Sequence, residues 1–309
     1  MGRVIAGLPG GVHSLIRGGY LAVTIFFSLS GFVLARNYGQ TPWSARNLRK
    51  YGMCRVARIY PVYLLSLALV LPFILADQTP GKGFYEGAYA LLVQGWLGTI
   101  PVNWNTPAWT LSCEVFFYAA FPLLILFFRR PSWTRIGLAA TFSLFLTRGL
   151  WAAGISDGIK PLIHLSDFLM GLAAAGAYDL LVREGRVKSG VWLSGAGVCA
   201  AAALIAYPSV LHGALDLNTA LRPLNALMLV GFGLGGGALV RALSSRVAVY
   251  LGKSSYAMYI LHVPILWWYQ RWTHSFSPLL YVTAVIVISA VVYGLFEEPA
   301  NRRLRRLAR

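Results

Sequence analysis

Glu114 lies in Trp109-Thr110-Leu111-Ser112-Cys113-Glu114-Val115-Phe116-Phe117-Tyr118, near the start of an apolar run from Trp109 to Phe128, in a chain of 309 residues with only ten acidic ones. An ionisable side chain inside a hydrophobic span is expensive, so it is retained for a partner, a water-filled cavity or a reaction. Tyr118 follows at i+4 and shares its helical face. The two readings are a structural carboxyl bonded to a neighbouring helix and a group that handles protons.

Arg55 and Arg58 stand at i and i+3 just before Ile59-Tyr60-Pro61-Val62-Tyr63, on one face of a helix entering an apolar stretch. Arginines there anchor topology by snorkelling, or they form a fork for phosphates, which paired guanidinium groups bind through several directed donors. A phosphate-bearing donor such as an acyl-coenzyme A fits the second reading. Farther on, Ser255 and Tyr256 open a span that carries His262 before Pro264. A lone histidine in a span serves either a helix-to-helix hydrogen bond or chemistry. His164 and Asp167, at i and i+3, either satisfy each other or form an acid-base pair. In Phe296-Glu297-Glu298-Pro299, Glu297 is the carboxyl expected to pair inward. Phe26-Phe32 sets Ser28, Ser30 and Gly31 in mid-span, for close helix packing or for a helix loosened beside a cavity.

The elements that must hold these residues are membrane helices. The chain is 57% hydrophobic and 12% charged, against about 25% charged in soluble domains. Apolar runs approaching the length that crosses about 30 Å of hydrocarbon recur near Gly19–Leu34, Val56–Ala76, Ala108–Phe128, Ile136–Ala153, Pro161–Leu181, Val191–Tyr207, Leu221–Leu243, Val249–Tyr269 and Pro278–Phe296. The expected fold is all-α, a polytopic integral membrane bundle of about nine transmembrane helices forming a single domain over residues 1–309. In the longest connection, Asp77 to Pro107, Ala88–Gly98 is expected to form a short interfacial or re-entrant helix.

A formal net charge of +17 raises nucleic acid as a partner, but the distribution of the basic residues points to a bilayer instead. Most Lys and Arg fall in alternate connections: Arg36 to Arg58, Arg129 to Arg135, Arg183 to Lys188, Arg241 to Lys253, and the tail from Arg302 to Arg309. This is the positive-inside pattern, which places those connections and the C-terminus in the cytoplasm, with a bacterial inner membrane expected. Nine spans then leave the N-terminus outside with no cleavable signal to carry it there, so a preceding span is expected to be missing. Cys54, Cys113 and Cys199 have no metal-type spacing, and no metal is expected.

In chain order, Phe26-Phe32, Arg55-Pro61, Trp109-Tyr118 with Pro122, Ser255-Pro264 and Glu298-Pro299 resemble the membrane acyltransferase-3 family, from about Gly18 to Arg303. That resemblance implies transfer of an acyl group, acetyl first among candidates, from an acyl-coenzyme A co-substrate to a hydroxyl of a carbohydrate, a glycolipid, another cell-envelope glycan or a small secondary metabolite, with no permanently bound cofactor. It also implies that Arg55 and Arg58 bind the donor, that Glu114 is catalytic, and that Trp109, Tyr118, Ser255, Tyr256 and His262 line the substrate site. Family members have ten helices and begin with one bearing an Arg and, about ten residues later, a His that acts as base. Here His13 follows Arg3 by ten residues, but Leu8-Pro9-Gly10-Gly11 between them is poor helix material. His13 is the candidate base on this reading, and an N-terminally shortened domain is expected. The competing functions are a transporter or flippase using Glu114, Asp167 and His262 as a proton relay, and an inactive scaffold for polysaccharide assembly. Internal symmetry of the kind transporters show is not evident.

Overall fold

The computed structural model describes residues 21–98, 100, 102, 104–155, 158–207, 216–273 and 276–307. These form helices and short turns, with no strand among them. In chain order the helices are α1 (Ala22–Tyr38), α2 (Ala45–Ala76), α3 (Lys82–Ala90), α4 (Trp109–Phe128), α5 (Trp133–Ala152), α6 (Lys160–Arg183), α7 (Gly190–Ala206), α8 (Leu217–Leu234), α9 (Gly237–Leu243), α10 (Arg246–Trp272), α11 (Pro278–Val292) and α12 (Glu298–Leu307). A π-helical turn, Tyr293–Glu297, joins α11 to α12. Among the described residues, five helical stretches are long and apolar enough to cross a membrane: Ala45–Ala76, Thr106–Phe128, Lys160–Arg183, Val187–Ala206 and Pro278–Arg306. The chain is therefore an all-α, polytopic membrane protein.

The run Leu221–Leu243, expected to be one span, is two helices. α8 and α9 meet at 81° and make a sixth crossing only if taken together. The break has a local cause, because Gly235, Gly236 and Gly237 all have φ between 80° and 93°, a region that residues with a Cβ rarely enter. The short helix in the long connection also differs from expectation. It spans Lys82–Ala90 and ends where Leu92 turns to a φ of 58°, so most of Ala88–Gly98 is turn and 3-10 backbone.

The helices gather into two compact units, residues 1–41 with 119–241 and residues 42–118 with 242–309. In the first, α1 and α6 approach backbone to backbone. A Cβ built on Gly171 would lie 2.0 Å from the Ser28 carbonyl oxygen, and one on Gly31 would lie 2.3 Å from that of Phe168. The Ser28 hydroxyl closes the seam by donating to the Asp167 carbonyl at 3.0 Å. Of the two readings of Phe26-Phe32, the structure supports packing, since membrane helices associate through small residues that permit such approach. Gly171→Ala is accordingly expected to destabilise the protein by about 1–3 kcal/mol, read as earlier loss of helical signal on thermal unfolding in detergent.

In the second unit, α2 and α10 share a core that includes Ile59, Val62, Tyr63, Val70, Tyr256, Ala257, Ile260 and Leu261. Ser44 caps α2 by accepting from the Asn47 amide, and Ser245 caps α10 by accepting from that of Ala248. Prolines inside α4 and α10 release carbonyls one turn back, and side chains take them up. Pro122 removes the helical partner of the Tyr118 carbonyl, which accepts from the Tyr51 hydroxyl at 3.1 Å. Pro264 does the same to Ile260, whose carbonyl accepts from Asn105 Nδ2 at 3.3 Å. Asn105 also donates to Ser66 Oγ on α2 at 3.0 Å, which ties the long connection to both helices.

Candidate active site

The second unit brings together six of the side chains singled out by sequence. Glu114 is 3% exposed, and its Oε2 accepts from the Tyr118 hydroxyl at 3.1 Å. One turn of α4 supplies both groups, as the i, i+4 spacing requires. Facing them, α2 presents Arg55 and Arg58, whose guanidinium charges both act on the Glu114 carboxyl. Arg55 lies over the rings of Tyr51 and Tyr118, 5.6 and 5.5 Å from their centroids. Arg58 lies 5.0 Å from the ring centroid of Tyr256, and its Nη1 is paired with Glu297 Oε1. Aromatic faces thus hold both cations by cation–π attraction. Tyr256 is itself fixed, because its hydroxyl donates to the Ile59 carbonyl at 2.7 Å.

Chemically the cluster sets one buried carboxyl between a phenol and two guanidinium groups. It contains a proton acceptor, donors able to stabilise a developing oxyanion, and forked cations suited to phosphate. Glu297, expected to turn inward, does so.

The other predicted site residues are placed differently. Ser255 is exposed, and its hydroxyl donates to the Gly252 carbonyl on its own helix at 2.8 Å. The neighbouring Ser254 is the buried one. His262 is half-buried, with Nδ1 2.7 Å from the Tyr259 carbonyl. A carbonyl only accepts, so Nδ1 carries the proton there. The His262 carbonyl in turn accepts from the Tyr281 hydroxyl at 2.9 Å, linking α10 to α11. Trp109 is half-buried in the first turn of α4. His13 and Arg3 lie outside the described residues.

His164 and Asp167 belong to the first unit and are bonded to each other, His164 Nδ1 to Asp167 Oδ2 at 2.9 Å. Their main partner is one that sequence reading missed. Arg222, 1% exposed, donates from Nε to Asp167 Oδ1 at 2.8 Å, from Nη2 to Thr147 Oγ1 at 2.9 Å and from Nη1 to Thr219 Oγ1 at 3.1 Å. Its signal was present in the sequence, as an arginine at the head of the apolar run beginning at Leu221, with Asp167 as a carboxylate well inside another span. Asp167 is thus held in an ion pair within its own unit.

The sequence profile of the family described as "Acyltransferase domain" matches residues 3–297. The chain is 31% identical over 338 residues to "Acyltransferase MdmB" of Streptomyces mycarofaciens, covering 93% of this chain and 82% of that protein. It is also 44% identical over 57 residues to "Protein 2 in picA locus" of Rhizobium radiobacter, covering 18% of this chain and 30% of that protein. No solved structure matches the chain significantly.

Proposed function

Because the chain belongs to the membrane acyltransferase-3 family, and is therefore a membrane acyltransferase, we propose that it moves an acetyl or similar acyl group from acyl-coenzyme A to a hydroxyl of a carbohydrate or cell-envelope glycan. The observation that carries this reading is the buried Glu114 carboxyl, hydrogen-bonded by Tyr118 and lying within the field of Arg55 and Arg58. In the transfer, the acceptor oxygen attacks the thioester carbonyl and loses its proton as the new C–O bond forms. The C–S bond then breaks and the coenzyme A thiol leaves with a proton. Glu114 takes the hydroxyl proton or orients the base that does, His13 being the candidate for that base. Arg55 and Arg58 hold the donor's phosphates, and Tyr118 with Tyr256 shapes the acceptor side. Trp109, Ser255 and His262 contribute to substrate binding along α4 and α10.

The positive-inside distribution supports an orientation with the basic connections and the C-terminus in the cytoplasm of a bacterial inner membrane. Arg55 is then roughly 15 Å along α2 from its cytoplasmic start, so a cytoplasmic donor reaches inward to it. On this reading residues 1–309 are one acyltransferase domain.

The test is to incubate membranes containing the protein with labelled acetyl-coenzyme A and a panel of glycans, measuring label transfer. Wild-type membranes are expected to label an acceptor, and Arg58→Ala to raise the donor KM by about tenfold or more through loss of charge-assisted phosphate contacts. Transfer that Arg58→Ala leaves unaltered removes the donor assignment. An absence of transfer to any glycan removes the acceptor class.

A further inference from the structure

We infer that Glu297 is a positioning residue for the anion site, fixing the Arg58 guanidinium from its closed side so that the remaining N–H donors are presented to phosphate from the open side. This rests on the reading above that Arg58 receives the donor's phosphates. Glu297 is neither in the Arg motif nor beside Glu114 in sequence, and nothing but the fold joins it to them.

The ion pair is asymmetric in burial. Their side chains are 31% exposed for Arg58 and 1% for Glu297, so the arginine side chain stays partly accessible while the carboxylate paired with it is sealed. Among the described residues no donor reaches the buried Glu297 Oε2, and Arg58 is the cation that pairs with the carboxylate. If Arg58 swung away to meet a ligand, the carboxylate would be left buried and uncompensated, a strongly unfavourable state. Arg58 therefore binds an anion in place, with one donor committed to Glu297 and the Tyr256 ring beneath it.

Local backbone explains how an apolar helix end delivers this carboxyl. Tyr293–Glu297 is a π-helical turn, and the extra residue of such a turn offsets the helical faces on either side by about 100°. Glu297 is buried within the unit, while its neighbour Glu298, about 100° farther round the helix, stays partly exposed and pairs with Arg302 at 2.6 Å.

The experiment uses the full chain purified in detergent, with inorganic pyrophosphate and coenzyme A as separate probes of equilibrium binding. Glu297→Gln is expected to weaken both about tenfold, a loss the size of one charge-assisted contact. The same change in an Arg58→Met background is expected to add nothing, because the effect passes through that guanidinium. A merely structural role would weaken the two backgrounds alike. Glu297→Asp, which keeps the ion pair at a shorter reach, is expected to lose about threefold and carries the test if Glu297→Gln does not fold. Unchanged or tighter binding in the variant that folds overturns the inference, the tighter result making Glu297 a competitor for Arg58. Should pyrophosphate bind with this dependence while coenzyme A does not bind at all, the anion site stands and the donor reading falls. Wild-type protein that binds neither probe refutes both.

Discussion

Glu114→Gln is expected to lower kcat for acyl transfer by about 100-fold or more while leaving the donor KM nearly unchanged. The substitution keeps the shape and the acceptance of the Tyr118 hydroxyl but removes the group that can take a proton, and a positioned acid-base group contributes about 10²–10⁴ in rate. Its effect should fall on kcat because the two arginines proposed to hold the donor remain held by Tyr51, Tyr118 and Tyr256. Tyr118→Phe should be milder, since it removes one hydrogen bond to a carboxyl that stays in place. Steady-state kinetics on purified protein, with thermal unfolding to verify that the variants fold, decides the point. If Glu114→Gln retains full kcat, the carboxyl is structural and the acid-base assignment is lost.

The largest effect on stability is expected in the first unit. Arg222→Leu leaves Asp167 buried, with His164 as the remaining titratable partner and without the charge it is built around, and breaking a buried pair by removing one member costs about 3–5 kcal/mol. Asp167→Leu should cost as much, because it strands Arg222 among Thr147, Thr219 and the Ser143 carbonyl. The double variant Arg222→Met with Asp167→Leu should recover most of the loss, since neither charge is then buried. With Arg222→Met added as the matching single variant, denaturant unfolding of wild type, Arg222→Met, Asp167→Leu and the double variant in detergent gives the coupling energy directly. Additive losses would show that the network does not work as a pair.

These two sites were unequally legible, and the reason is where the partners come from. Glu114 and Tyr118 lie one helical turn apart, as do Arg55 and Arg58, so sequence spacing alone puts each pair on a face. Glu297 carried only the hint that one of two adjacent carboxyls turns inward. Arg222 lies 55 residues from Asp167 and in another helix, and no local period connects them. Resemblance supplied the order of the motifs, and the described geometry joined most of them, but it set Ser255 on the surface and bound His262 Nδ1 within its own helix.

What the sequence by itself determined is the class of the protein. Long apolar runs with few charges leave the backbone no option but helices in a bilayer, and rare ionisable residues inside such runs mark where function or ion pairing is concentrated. The tertiary structure decided which of those residues share a cluster, which arginine pairs with which carboxylate, and where a predicted span breaks. Those outcomes depend on which helix faces meet and on the backbone turns at Gly235-Gly236-Gly237 and Tyr293–Glu297. In both units the buried carboxylate meets a cation from a distant part of the chain, Arg58 for Glu297 and Arg222 for Asp167.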